Sequence, residues 1–248
     1  VDPRWRDALT WAAYVDWSCV VAPHDRLVRP AMFMSKNHMN QVWSWDHCFN
    51  AMALSYGHPG LAWDQLMIMA DHQDEHGAFP DSANDFITQF NFSKPPVHGW
   101  ALRFMRRTAP DFFTRERANG VALAEAYDAF SRLAAWWLAH RVAPGEKLPH
   151  YLHGNDSGWD NSTIFDEGVP LIAPDLAAFL ALHCEELADV ATALGEVVKA
   201  EWWRDTAVRL IQDMIDTLWR GDRFVAMRQS DHKVIDCVSL ITCLPFVF

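Results

Sequence analysis

No apolar run in this chain approaches the ~18 residues that a membrane-spanning helix needs, so a membrane partner is not expected. Basic residues are scarce, with 21 Lys and Arg against 32 Asp and Glu and a net charge of −11. That balance argues against nucleic acid and anionic lipid as partners. No basic segment followed by an apolar one marks a signal peptide in the residues after Val1. The five cysteines (Cys19, Cys48, Cys184, Cys237 and Cys243) form no CxxC pair and are odd in number. Most lie in apolar surroundings, as reduced core residues of a cytoplasmic protein do. Nor is there a fixed-period repeat, which disfavours a solenoid. At 248 residues and half hydrophobic, the chain is long enough to bury one sizeable core.

Aromatic side chains, by contrast, are plentiful, and 13 of them are tryptophan. Trp136-Trp137 and Trp202-Trp203 fall within helical patterns and read as core. Trp43, Trp45, Trp100 and Trp159 stand beside polar residues in loops, where a flat indole with one N–H suits the apolar face of a sugar ring. Core packing is an equally good reading for any one of them.

Apolar spacing of 3.6 predicts helices over about 4–20, 46–56, 60–73, 96–108, 115–141, 174–194 and 196–219. A short hairpin is expected around Ser230-Asp231. Helices in pairs, joined by alternating short and long connections, point to an all-α toroid of helical hairpins in one domain over residues 1–248. In such a toroid the long loops gather at one end and build the site.

The most unusual stretch is His153-Gly154-Asn155-Asp156-Ser157-Gly158-Trp159-Asp160-Asn161-Ser162-Thr163. It carries acids, amides, hydroxyls and an indole but no aliphatic side chain, so it is a presented loop rather than a core element. Three other stretches share its polar-aromatic character, namely 41–47, 73–81 and 92–100. Asp46 stands at a helix start, where it either caps free N–H groups or accepts hydrogen bonds from sugar hydroxyls. His72-Gln73-Asp74-Glu75-His76 matches the H-x-x-E-H pattern of some zinc peptidases, but Gly77 ends the helix at once and no third ligand is marked out. Asn91-Phe92-Ser93 and Asn161-Ser162-Thr163 are glycosylation sequons and stay unused without secretion.

Together, Trp43-Ser44-Trp45-Asp46, Gln73…Gly77…Pro80, Ser93-Lys94-Pro95-Pro96 and Asp156-Ser157-Gly158-Trp159-Asp160-Asn161-Ser162 resemble glycoside hydrolase family sixty-three. That family includes processing α-glucosidases and the mannosylglycerate and glucosylglycerate hydrolases, and it is related to trehalases. The resemblance implies an (α/α)6 toroid and hydrolysis with inversion. No cofactor is expected. It places the general acid on Asp160. Sugar contacts are expected from Trp43, Trp45, Asp46, Gln73, Lys94, His98, Trp100, Asp156, Trp159 and Asn161. A glutamine that the family often carries just after its SxPP element is replaced here by His98.

The implied toroid needs twelve helices, and seven or eight are legible in this chain, so the fold reads as incomplete at its C-terminal side. The family's base, a glutamate far C-terminal of the acid, is expected beyond Phe248. Glu167 belongs to the same loop as Asp160 and would tend to sit on the same side of the sugar, whereas an inverting pair flanks it with roughly 6.5–9.5 Å between carboxyls. The expected substrate is an α-glucoside or α-mannoside, either an oligosaccharide or a glycosylglycerate, with Trp159 shielding Asp160 in its protonated form. The alternative is a catalytically incomplete fragment or carbohydrate-binding module. A zinc peptidase using His72, Glu75 and His76 is a remote third.

Overall fold

The computed structural model describes residues 2–116 and 121–247. Among these residues lie seven α-helices: α1 (Arg6–Cys19), α2 (Asp46–Leu54), α3 (Pro59–Met67), α4 (His98–Thr108), α5 (Val121–His140), α6 (Pro174–Ala193) and α7 (Val197–Leu218). Prolines open α3 and α6, where a missing N–H costs nothing. Gly195, at φ +78, turns the chain out of α6 and into α7.

Two helices differ from the expected spans. The one expected over 60–73 stops at Met67 and is followed by a 3-10 turn, Ala70–His72. His72 and His76 therefore do not share a helix face, which removes the basis of the zinc-peptidase reading. The one expected from 115 is described from Val121 onward, and Phe112–Glu116 form a π-helical turn. Residues 117–120 of that span lie outside the described residues.

The organising element is α6. All but four of its 20 residues are buried, as befits a helix apolar around its circumference. Gly99 on α4 allows close approach, since a Cβ there would stand 2.5 Å from His183 Cα on α6. Beside it, Glu186 of α6 is 1 % exposed and receives Arg103 Nε at 3.2 Å and Arg106 Nη1 at 2.5 Å, both from α4. Two guanidinium groups offset the desolvation of one buried carboxylate. The α5 stripe contributes Phe130, Leu133 and Trp137 to the same core. In contrast, α1 buries none of its residues, and Trp11 and Trp17 are about two-thirds exposed. No described helix is long and apolar enough to cross a membrane.

Short antiparallel strands tie the loops down. Strands β1 (Val20–Val21) and β2 (Ala31–Met32) pair, and β3 (Val42–Trp43), β4 (Ser82–Ala83) and β5 (Thr88–Gln89) form a three-stranded sheet. The expected hairpin is β7 (Ala226–Arg228) with β8 (Val234–Ile235), joined by β6 (Leu171–Ile172). Strands this short carry no readable alternation, so only the hairpin is visible in the pattern.

Candidate active site

The small antiparallel sheets set the register of the loops between the helices. Trp43 pairs with Ser82 across β3 and β4, and Ser44 N donates to Asp81 O at 2.9 Å. This brings the start of α2 beside Asp81. A cavity of about 280 Å³ opens there, lined by Met34, Met39, Trp43, Trp45, Asp46, Lys94, Gly158 and Asp160. A second cavity of about 450 Å³ is lined by Trp159, Asp160, Asn161, Ser162, Thr163, Ser239 and Leu240. Asp160 borders both.

The loop bearing Asp160 is braced from within. Gly154–Ser157 forms a 3-10 turn capped by the His153 side chain, which accepts from Asn155 N. Asp156, 2 % exposed, accepts from Ser93 N at 2.9 Å, Leu152 N at 2.8 Å and His153 N at 3.1 Å. It also accepts from Arg141 Nη1 at 3.1 Å. Arg141 Nη2 reaches Ser93 Oγ at 2.8 Å, so one guanidinium joins the loop to the SxPP segment. Ser157 Oγ donates to Gly154 O and accepts from Trp159 N. Gly158 adopts φ +75, and a Cβ there would fall 2.2 Å from the Trp45 ring. Only glycine allows this turn and the indole to occupy the same place.

Three carboxylates and one ammonium set the electrostatics. Lys94, 8 % exposed, donates to Asn155 O and stands 3.3 Å from Asp81 Oδ1. Burial pushes the Asp46 carboxyl up, Lys94 opposes that shift, and the charges of Asp160 and Asp81 add to it. Asp81 is raised in the same way, by burial first, with Lys94 again opposing. Acceptors and one cation around an indole-walled hollow are suited to a polyhydroxylated ring, which offers donors on its edge and C–H groups on its face.

Of the residues expected to touch a sugar, Trp43, Trp45, Asp46 and Lys94 line the first cavity, with Trp159 and Asn161 in the second. Asp156 is the loop's internal brace instead. Gln73 Nε2 is committed to Gly77 O at 2.8 Å and Ala129 O at 2.9 Å. Trp100 packs edge-on against Phe49 with ring centroids 6.2 Å apart. His98 is 1 % exposed, packed between Phe79 and Phe130. None of these four lines either cavity. Asp160 is exposed rather than covered by Trp159, whose indole instead tilts against Trp45 at 6.3 Å.

Met34, Met39, Asp81, Ser239 and Leu240 were not anticipated. Asp81 alone had a signal, as the last acid of a polar-aromatic stretch beside Pro80. Glu167 belongs to neither cavity. Its carboxylate is paired with Lys233, which also lowers its pKa.

Comparison with known proteins bears on the fold and the family. Residues 39–248 match the mannosylglycerate hydrolase MGH1-like glycoside hydrolase domain. No curated protein matches the chain. Among solved structures, a similar one is described as an uncharacterized conserved protein from Thermus thermophilus. It has a TM-score of 0.76 and 18 % identity, over 95 % of this chain and 70 % of that one. Another is a GH63 mannosylglycerate hydrolase from the same organism in complex with Tris and D-glycerate (TM-score 0.74, 18 %, 95 % and 71 %). Its complex with glucose gives a TM-score of 0.75 at 19 % identity, over 95 % and 70 %. Their (α/α)6 toroid is the fold this chain shares. With the family matched over most of its length, the chain belongs to the mannosylglycerate hydrolase MGH1-like glycoside hydrolases of family sixty-three.

Proposed function

We propose that the chain carries the sugar-binding and proton-donating part of an inverting α-glycosidase, with Asp160 as general acid. The observation that carries this reading is that Asp160 borders two cavities at once. A carboxyl that protonates a leaving oxygen must stand between the ring being released and the group that departs. The first cavity, with Trp43, Trp45, Asp46 and Lys94, takes the glycone, and the second takes the leaving group. In the first, Trp43 or Trp45 stacks on the ring face while Asp46 accepts hydroxyl hydrogens and Lys94, held by Asp81, donates.

Binding of the leaving group beside Trp159 displaces water from around Asp160 and brings the glycosidic oxygen to it. The proton passes to the glycosidic oxygen as that bond breaks, and water attacks the opposite face. Activating this water takes a second carboxylate, and the reading assigns that role to none of the described residues. Glu167, held by Lys233, does not serve.

The substrate is an α-glucoside or α-mannoside. Support for a small glycosylglycerate comes from the family and from the neighbour described with D-glycerate bound. The test is hydrolysis of such glycosides by the natural full-length protein, followed by NMR of the released anomer. A β-sugar at early times is expected, and full activity in Asp160→Asn would sink the assignment.

One observation favours the alternative of a catalytically incomplete unit. The exposed indoles of α1 form an apolar face that resembles a packing surface more than a solvated one. Sizing chromatography of this chain is expected to show association, and a monomer that unfolds cooperatively would remove this alternative.

A further inference from the structure

One and two residues past Asp46, the first turn of α2 sends His47 and Cys48 into the core. There they meet His98, from the first turn of α4. All three are at most 1 % exposed. One donor atom of each lies within 4.8 Å of the other two. His47 Nδ1 is 2.7 Å from the carbonyl of Trp43, and its other ring nitrogen is 3.8 Å from Cys48 Sγ. Giving the Nδ1 hydrogen to a carbonyl fixes the tautomer and leaves Nε2 with a free lone pair, as histidine ligands of metals are commonly arranged.

Neither ring nitrogen of His98 has a hydrogen-bond partner among the described residues. Its packed neighbours Phe79 and Phe130 offer none. Buried imidazoles normally find a donor or acceptor. Within 4.8 Å of one of its ring nitrogens lie the ligand atoms of another imidazole and a thiol, which with it form a donor set of two nitrogens and one sulfur.

We propose that His47 Nε2, Cys48 Sγ and a ring nitrogen of His98 form a buried binding site for a thiophilic cation of the zinc type. Zinc accepts this mixture of ligands, whereas magnesium and calcium require oxygens. With Zn–N near ~2.0 Å and Zn–S near ~2.3 Å, ligand atoms around one ion stand roughly 3–4 Å apart. The donor atoms lie within 4.8 Å of one another, so the widest separation must shorten by about 1 Å around an ion. On binding, the Cys48 S–H bond breaks, the sulfur pair bonds the ion, and the proton leaves to solvent.

The ion would join the helix turn that presents Asp46 to the one that follows Lys94. None of the three side chains lines either cavity, so the metal holds the site without touching substrate. The assignment does not depend on which glycoside is cleaved, and it uses neither His72 nor His76.

The test is metal content of the natural full-length protein, purified without chelators or a histidine tag. Chelation, re-addition of zinc and substitution with cobalt then follow. About one zinc per chain is expected, with a cobalt–thiolate charge-transfer band. Cys48→Ser is expected to abolish that band and weaken zinc binding by at least roughly tenfold, whereas His72→Ala changes neither. Failure of the wild-type protein to take up zinc, or a thiolate band that survives Cys48→Ser, overturns the proposal. Should Cys48→Ser not fold, wild-type uptake and the wild-type cobalt band decide it.

Discussion

Asp156 and Asp160 stand four residues apart in one loop and live in opposite conditions. Asp156 is 2 % exposed and surrounded by three backbone N–H groups and a guanidinium. Asp160 is exposed, with no hydrogen bond or ion pair to its carboxylate among the described residues, and faces two cavities. The first carboxylate has its acceptor capacity filled, which suits a brace. The second has its capacity open, which suits a group that exchanges a proton with substrate. Composition alone makes these two residues look alike; their neighbours divide the labour.

Substituting each separates the two roles. Asp160→Asn is expected to lower kcat by roughly 10²–10⁴-fold, the usual worth of a positioned acid, while leaving the melting temperature unchanged. A variant that loses stability along with activity would show that Asp160 is structural too. Asp156→Asn strands the Arg141 guanidinium in a buried setting, and breaking such a pair costs roughly 3–5 kcal/mol. Urea denaturation measures this directly. A midpoint equal to the wild type would dismiss the brace.

A third acid extends the contrast. Asp175 is fully buried with one described side-chain partner, the Tyr151 hydroxyl at 2.8 Å, and no cation. Burial raises its pKa to about 7. Between about pH 4 and 7 the folded chain then keeps a proton that the unfolded chain has lost. The group's contribution is complete below its unfolded pKa and disappears as pH rises through about 7, a change on the order of 2–4 kcal/mol. Stability measured from pH 4 to 8 is expected to fall across this window, and Asp175→Asn flattens that component. An identical slope in both proteins would refute it.

Much of this arrangement was legible in advance, because helices announce themselves through period 3.6 and glycine and proline mark their ends. The loop at 153–163 stood out since nothing in it could be core. Residues that failed did so through long-range packing. Gln73 looked available, yet it bridges two backbone carbonyls, one of them on α5. His98 follows a loop motif, but the close contact of Gly99 with α6 brings that turn against the core. Met34 and Met39 reach their cavity through a chain reversal in which Met34 N donates to Gln41 O and Ser35 N to Met39 O, which local pattern does not encode.

Gly158 tests how tightly the loop is fitted to its partner. Gly158→Ala would force a Cβ into the Trp45 ring at a left-handed backbone angle, costing roughly 1–2 kcal/mol from the backbone alone. The expected result is a raised KM, because Trp45 is displaced from the glycone cavity. Unaltered kinetics would show that Trp45 does not contact the sugar.

The smallest effect belongs to Glu167, another acid of this long connection. An inverting site needs a base across the sugar from Asp160, and proximity in sequence makes Glu167 the obvious candidate. The structure turns it the other way. Its carboxylate pairs with Lys233 and its carbonyl accepts from Arg228, both outside either cavity. Lys233 holds the carboxyl below its ordinary pKa, but charge alone does not make a base, which must also reach the attacking water. Glu167→Gln is therefore expected to leave kcat and its pH profile within about twofold of wild type, far short of the 10²–10⁴ that a base contributes. A loss of that size, with azide restoring turnover in the variant, would make Glu167 the base and place both catalytic carboxyls on one loop.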